Sequence, residues 1–88
     1  MTVHVYISGF VQGIGFRQFV KSKANSLNVK GWVKNLPDGR VEAVFAGDRS
    51  NIGKMVELCR KGSFLAEVRD LKIEDLPDKN FESFDIIK

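Results

Sequence analysis

Arg17 and the glycines just before it form the part of this chain with the clearest capacity for chemistry. The stretch Gly9-Phe10-Val11-Gln12-Gly13-Ile14-Gly15-Phe16-Arg17 leads from an alternating apolar segment, through a glycine-rich bend, into an amphipathic one. The first N–H groups of a helix lack intrahelical partners and carry the positive end of its dipole, so such a bend can wrap a phosphate. Gly13 and Gly15 have no Cβ, admit positive φ and leave room for a ligand against the main chain. Arg17 falls in the first helical turn, where the dipole opposes a cation by roughly 0.3–1 kcal/mol; an anion held between guanidinium and helix makes sense of it. The expected phosphate cradle is therefore the backbone of Gln12, Gly13, Ile14, Gly15, Phe16 and Arg17, with the Arg17 side chain closing it.

The elements that must position this cradle have to fit in one domain, because the chain has 88 residues. A chain of this size buries only about 60–65% of its unfolded surface, so one modest core is expected and any active site belongs on a loop or sheet edge. With 43% hydrophobic and 28% charged residues the chain falls in the ordinary globular range, and it has no apolar run long enough to span a membrane. The N-terminus has no basic, continuously apolar leader, and Cys59 is a lone cysteine unable to build an internal disulfide framework, so a cytoplasmic protein is expected. The net charge of +3 is unevenly spread. Up to Arg40 there are six Lys or Arg and one acid, Asp38; from Val41 onward there are eight Lys or Arg and ten acids. The positive field thus belongs to the half that carries the bend, which suits a small anion and, by charge alone, nucleic acid as well.

Residue periodicity orders the elements. Thr2 to Ser8 alternates as a strand, with Val3, Val5 and Ile7 on one face and His4 and Tyr6 on the other. Phe16, Phe19, Val20, Ala24 and Leu27 share one side of a helix running from Phe16 to about Asn28. Val29 to Leu36 and Arg40 to Ala46 read as strands joined at Pro37-Asp38-Gly39 into a hairpin. Asp48 is a possible cap for a second helix built on Ile52, Met55, Val56 and Cys59, and Gly62 is its expected stop. Ala66 to about Leu76 alternates with a slip between Val68 and Leu71 that suggests a bulge, and Phe81 to Ile87 is a short last strand. The order predicts an α+β, ferredoxin-like split βαβ fold: βαββαβ plus a short C-terminal strand, an antiparallel sheet with two helices on one face. His4, Tyr6, Lys30, Trp32 and Lys34 would occupy the other, open face. That plan carries enzymes, RNA binders and ligand sensors alike.

A second segment, Gly31-Trp32-Val33-Lys34-Asn35-Leu36-Pro37-Asp38-Gly39-Arg40-Val41, with Gly47 six residues beyond, narrows the choice. With the first segment it makes the chain resemble the acylphosphatase family over nearly its whole length. The first family signature, Gly-x-Val-Gln-Gly-Val-x-Phe-Arg, stands at Gly9 to Arg17 with Ile14 in place of valine; the second, Gly-aromatic-Val-Lys-Asn, three residues, Gly-x-Val, five residues, Gly, fits Gly31 to Gly47. The resemblance implies hydrolysis of the carboxyl–phosphate anhydride of a small-molecule acyl phosphate, with inorganic phosphate as product and competitor. It implies that the cradle and Arg17 bind the phosphoryl group and that Asn35 holds the attacking water. Two departures are minor: Ile14 adds a methylene to the cradle, and Ser63 stands after Gly62 where many members have proline. In some members the C-terminal carboxylate approaches the catalytic arginine, a role open to Lys88.

The chemistry is self-consistent without a cofactor or metal. A carboxylate leaving group, with a conjugate acid of pKa about 4, departs without a general acid. Phosphoryl transfer through a loose transition state needs positioning and neutralisation of the equatorial oxygens, which an arginine and a set of N–H groups supply. Neither motif contains a cysteine, a Ser–His pair or a carboxylate cluster, so a phosphoenzyme or metal-assisted route has no residues to support it. Taken alone, Arg17 reads as a solvated surface arginine and Asn35 as a turn residue; the two signatures together reverse both readings. Gly9, Gly31, Gly39 and Gly47 read as structural, His4 as a strand residue, Cys59 as core, and Trp32 with Tyr6 as partial cover of the open face. A free-standing, monomeric enzyme is expected, with neither membrane nor nucleic acid as partner. The rivals are an RRM-like RNA-binding domain, disfavoured because Arg40 to Phe45 lacks the Gly-Phe-rich stacking motif, and a non-catalytic anion sensor.

Overall fold

In a computed structural model describing Met1–Lys88, the first strand, β1 (Thr2–Phe10), lies inside a five-stranded sheet ordered β4-β1-β3-β2-β5, between β4 and the central β3. The period-two pattern explains its place. Val3, Val5 and Ile7 are at most 1% exposed on the face that meets the helices, and His4 and Tyr6 lie half-buried on the other. Helix α1 (Phe16–Ser26) turns Phe16, Val20 and Ala24 into the core and stops two residues before the expected end, where Asn28 takes a left-handed φ of 55°. β2 (Lys30–Asn35) and β3 (Val41–Ala46) form the expected hairpin, and β3 also pairs antiparallel with β1. Helix α2 (Arg49–Lys61) buries Ile52, Met55, Val56 and Cys59. Asp48 does occupy its N-cap position, but its side chain makes no capping hydrogen bond; Gly62 is the C-cap.

β4 (Glu67–Leu76) pairs antiparallel with the outer side of β1, and the slip read from the sequence is present. The register passes from Ser8 opposite Asp70 to Gly9 opposite Val68, leaving Arg69 as the extra residue of a bulge. The last strand, β5 (Phe84–Ile87), extends the antiparallel sheet by pairing parallel with β2, so the complete sheet is mixed. Parallel pairing follows from topology: β4 runs opposite to β1 and β2, and the chain reverses after it through residues 77–83 to the other edge of the sheet, so β5 runs with β2. Both helices pack on one face, where a cluster of 17 buried residues joins β1, β2, β3 and β5 to α1 and α2.

The open face is a layer of mutually covered side chains. His4 Nε2 lies 2.6 Å from Glu42 Oε2, Lys34 Nζ is 3.6 Å from Glu42 Oε1, and the cations of Lys34 and Arg40 sit 5.6 and 4.8 Å from the ring centroids of Trp32 and Tyr6. The central strand β3 contributes Glu42 and Val44 here, so it offers no aromatic on which a base could stack. Burial acts to raise the Glu42 carboxyl, but hydrogen bonds from His4 and Tyr6 and the charges of His4 and Lys34 outweigh it and hold Glu42 below its ordinary range.

Candidate active site

The glycine bend joins β1 to α1 at the end of the sheet where β2 also ends. Gly13 and Gly15 both take φ of 77°, and Gly15, with ψ of 17°, is the N-cap of α1. Two left-handed residues so close together turn the chain sharply, which is why the bend needs glycine. Its backbone donors are left free. No N–H from Gln12 to Gln18 donates to another group of the chain, and the first that does is that of Phe19, to Gly15 O at 3.0 Å. The first turn of α1 contains no acid, and Arg17 takes part in none of the ion pairs. A run of unpaired donors, the positive helix end and an unpaired guanidinium thus meet at one point, an arrangement that favours an anion.

Asn35 arrives from the other side. It is the last residue of β2, paired with Val41, and the turn beyond it is closed by Leu36 N–H to Arg40 O at 2.8 Å and Gly39 N–H to Leu36 O at 3.2 Å. Asp38 braces the turn, accepting from the Arg40 N–H at 3.0 Å and from Arg40 Nε at 2.8 Å. The backbone and side-chain hydrogen bonds from Arg40 hold the Asp38 carboxyl below its usual range. Asn35 Oδ1 is buried and has no hydrogen-bond partner within the chain. Such an acceptor is expensive to leave unpaired and marks a place where a polar ligand atom can bind.

These groups share a cavity of about 230 Å³ lined by Val11, Gly13, Gly15, Phe16, Arg17, Gln18, Asn35, Ile86 and Lys88. Of the residues expected from sequence, Gly13, Gly15, Phe16, Arg17 and Asn35 come together in its wall. Gln12 and Ile14, expected to contribute backbone N–H groups, are not among the lining residues; the Ile14 side chain packs against the core, and the Gln12 side chain turns to the hairpin, where Nε2 donates to Leu36 O at 2.8 Å and Arg40 O at 2.9 Å. Gln18 was missed, although its place in the first turn of α1 beside Arg17 was signal enough. Ile86 has no such signal, since it reaches the cavity only through the parallel register that sets it opposite Val33. The wall holds the two cationic side chains of Arg17 and Lys88 and no Asp or Glu, and the C-terminal carboxylate of Lys88 makes no ion pair with Arg17. Cys59 is remote from it, and burial pushes its thiol up to about 12, so no thiolate nucleophile is present. No group of three or more His, Cys, Asp or Glu is placed to hold a metal ion, and no helix is long and apolar enough to cross a membrane.

Known proteins share this fold and much of this sequence. An acylphosphatase of Syntrophobacter fumaroxidans is 50% identical over 72 residues, 82% of this chain and 74% of its own length. One of Trichormus variabilis is 44% identical over 84 residues, 96% of this chain and 83% of its own. The crystal structure of the Bacillus subtilis acylphosphatase superposes with a TM-score of 0.95 at 33% identity, over 99% of this chain and 98% of that one. The acylphosphatase family model matches residues 3–86, a span that takes in the cradle, Asn35 and Ile86 alike, and on that ground the chain belongs to the acylphosphatase family.

Proposed function

We propose that this protein hydrolyses acyl phosphates to a carboxylate and inorganic phosphate, with Arg17 and the backbone N–H groups of the bend holding the phosphoryl group and Asn35 orienting the attacking water. Family membership supports the reaction class. The observation that carries the division of labour is that Asn35, whose buried Oδ1 has no partner in the chain, stands in the wall of the same cavity as the free donors and guanidinium. A carboxamide is too weakly basic to take a proton from water, but Oδ1 can accept one hydrogen bond and aim the water's lone pair in line with the leaving group. The proton then passes to a phosphoryl oxygen, and the carboxylate leaves unaided. Charge spread over the equatorial oxygens meets Arg17 and N–H donors already in place, so little reorganisation opposes the transition state.

The cavity's 230 Å³ falls below the roughly 300–1,000 Å³ typical of sites that engulf a whole ligand, so the phosphoryl end is enclosed and the acyl group projects outward. Weak discrimination between acyl groups follows. The buried, lone Cys59 suits a reducing cytoplasm, and all the groups invoked come from one chain, so a monomer suffices.

The test is benzoyl phosphate hydrolysis by the parent protein beside Arg17→Ala and Asn35→Ala, with inorganic phosphate as competitor. Arg17→Ala is expected to lose phosphate inhibition and turnover together, and Asn35→Ala to keep phosphate inhibition while kcat falls by roughly 10² or more. EDTA is expected to leave the parent rate unchanged. Equal loss of phosphate affinity in both variants would contradict the assigned roles; no turnover by the folded parent would leave a non-catalytic anion sensor.

A further inference from the structure

The cradle and Asn35 belong to segments far apart in sequence, and in-line attack requires their separation to be held closely. We propose that Gln12 is the positioning residue that sets it, acting through its side chain. Its carboxamide Nε2 uses both N–H groups on the hairpin, donating to Leu36 O at 2.8 Å and to Arg40 O at 2.9 Å. These are the only hydrogen bonds between the bend and the turn that follows Asn35.

The chemistry of the contact leaves one orientation. Two carbonyl oxygens can be met only by the NH₂ end of the amide, since Oε1 in its place would face two acceptors. The acceptors are the two ends of one turn, Leu36 O and Arg40 O, which are also joined by the Leu36 N–H to Arg40 O bond at 2.8 Å. Gln12 therefore grips the turn at both feet, directly beside Asn35, while its own backbone enters Gly13. A rigid hairpin and a rigid helix start are cross-linked at one residue. Each carbonyl keeps another donor when Gln12 is lost, Gly39 N–H for Leu36 O and Leu36 N–H for Arg40 O, so the hairpin itself stays satisfied. What is lost is the registration of Asn35 against the bound phosphate.

This inference rests on the hydrolytic reading above, and its test separates the two. In Gln12→Met, kcat for benzoyl phosphate is expected to fall roughly 10- to 100-fold, the scale of an ångström-sized misplacement, with competitive inhibition by phosphate changed less than about twofold. The same substitution in an Asn35→Ala background is expected to change kcat less than about twofold, because the group it positions is gone. Independently of turnover, the amide NMR signals of residues 13–18 are expected to respond to inorganic phosphate as in the parent, while the Asn35 side-chain NH₂ signal moves. Gln12→Glu supplies a second variant of the same shape: ionised it has no donor, and protonated it regains one, so its deficit relative to the parent should shrink as pH falls through the carboxyl range. An unchanged kcat in a folded Gln12 variant, an equal loss in both backgrounds, or lost phosphate binding with kcat at saturation preserved would overturn the positioning role. A parent without turnover but with the NMR responses described would sink the hydrolytic reading and leave the contact standing.

Discussion

Replacing Asn35 by alanine should remove activity without removing stability, and the structure indicates the size of both effects. Oδ1 is buried with no partner in the chain, and an acceptor left without any partner costs the folded state up to about 1–3 kcal/mol, less to the extent that a held water supplies the bond. Asn35→Ala abolishes that cost. Against it stands the packing of the lost carboxamide on a half-buried residue at a strand end, about 0.8 kcal/mol for a methylene-sized contribution. Asn and Ala are both poor strand formers, so backbone propensity hardly enters. The net change lies between about 1 kcal/mol against the variant, if a held water satisfies Oδ1 in the parent, and about 2 kcal/mol in its favour, and each 1 kcal/mol is worth about 4–8 °C in Tm for a domain of this length. Urea denaturation followed by Trp32 fluorescence, with calorimetry for Tm, reads the stability; benzoyl phosphate hydrolysis on the same samples reads kcat. Inorganic phosphate at 100 times its dissociation constant should add about 2.7 kcal/mol to parent and variant alike, since the cradle is untouched. A variant destabilised by more than about 1 kcal/mol, or one that keeps its kcat, would refute the claim that this oxygen is held unpaired for the reaction.

Two further predictions follow from the fold. A Cβ at Gly31, where φ is 134°, would stand 1.9 Å from Val44 O, so Gly31→Ala must push β2 and β3 apart, whereas a Cβ at Gly13 meets nothing within 4 Å. Gly13→Ala should therefore cost only the left-handed strain of about 1–2 kcal/mol, and urea unfolding should find Gly31→Ala the more damaging; the reverse order would refute the geometry. Glu42 has a folded-state pKa below its ordinary value of 4.5, so its contribution to stability is present above that value and is lost as pH falls through the folded pKa. Glu42→Gln should accordingly flatten the acid limb of the stability curve below about pH 4.5 in denaturant titrations across pH, and an unaltered limb would show that the His4–Glu42 pair contributes nothing there.

The parts of this protein legible in its sequence are those governed by local rules. Alternation in Val3, Val5 and Ile7, helical spacing in Phe16, Val20 and Ala24, and the slip near Arg69 each reflect backbone periods that span a few residues, and each element lies where those periods put it. The geometry of the bend was legible for the same reason, because free N–H groups at a helix start and positive φ at Gly13 and Gly15 are properties of consecutive residues. Asn35 was named from a motif, but that its oxygen is buried and unpaired depends on what closes over the end of β2. Only the tertiary structure decided this. It also decided that β5 runs parallel to β2 and carries Ile86 to the cavity, and that the Gln12 side chain meets a turn 24 and 28 residues away. Pairings of that reach are selected by the burial of the whole core and by the requirement that every buried donor find an acceptor, and no short window of sequence contains either condition.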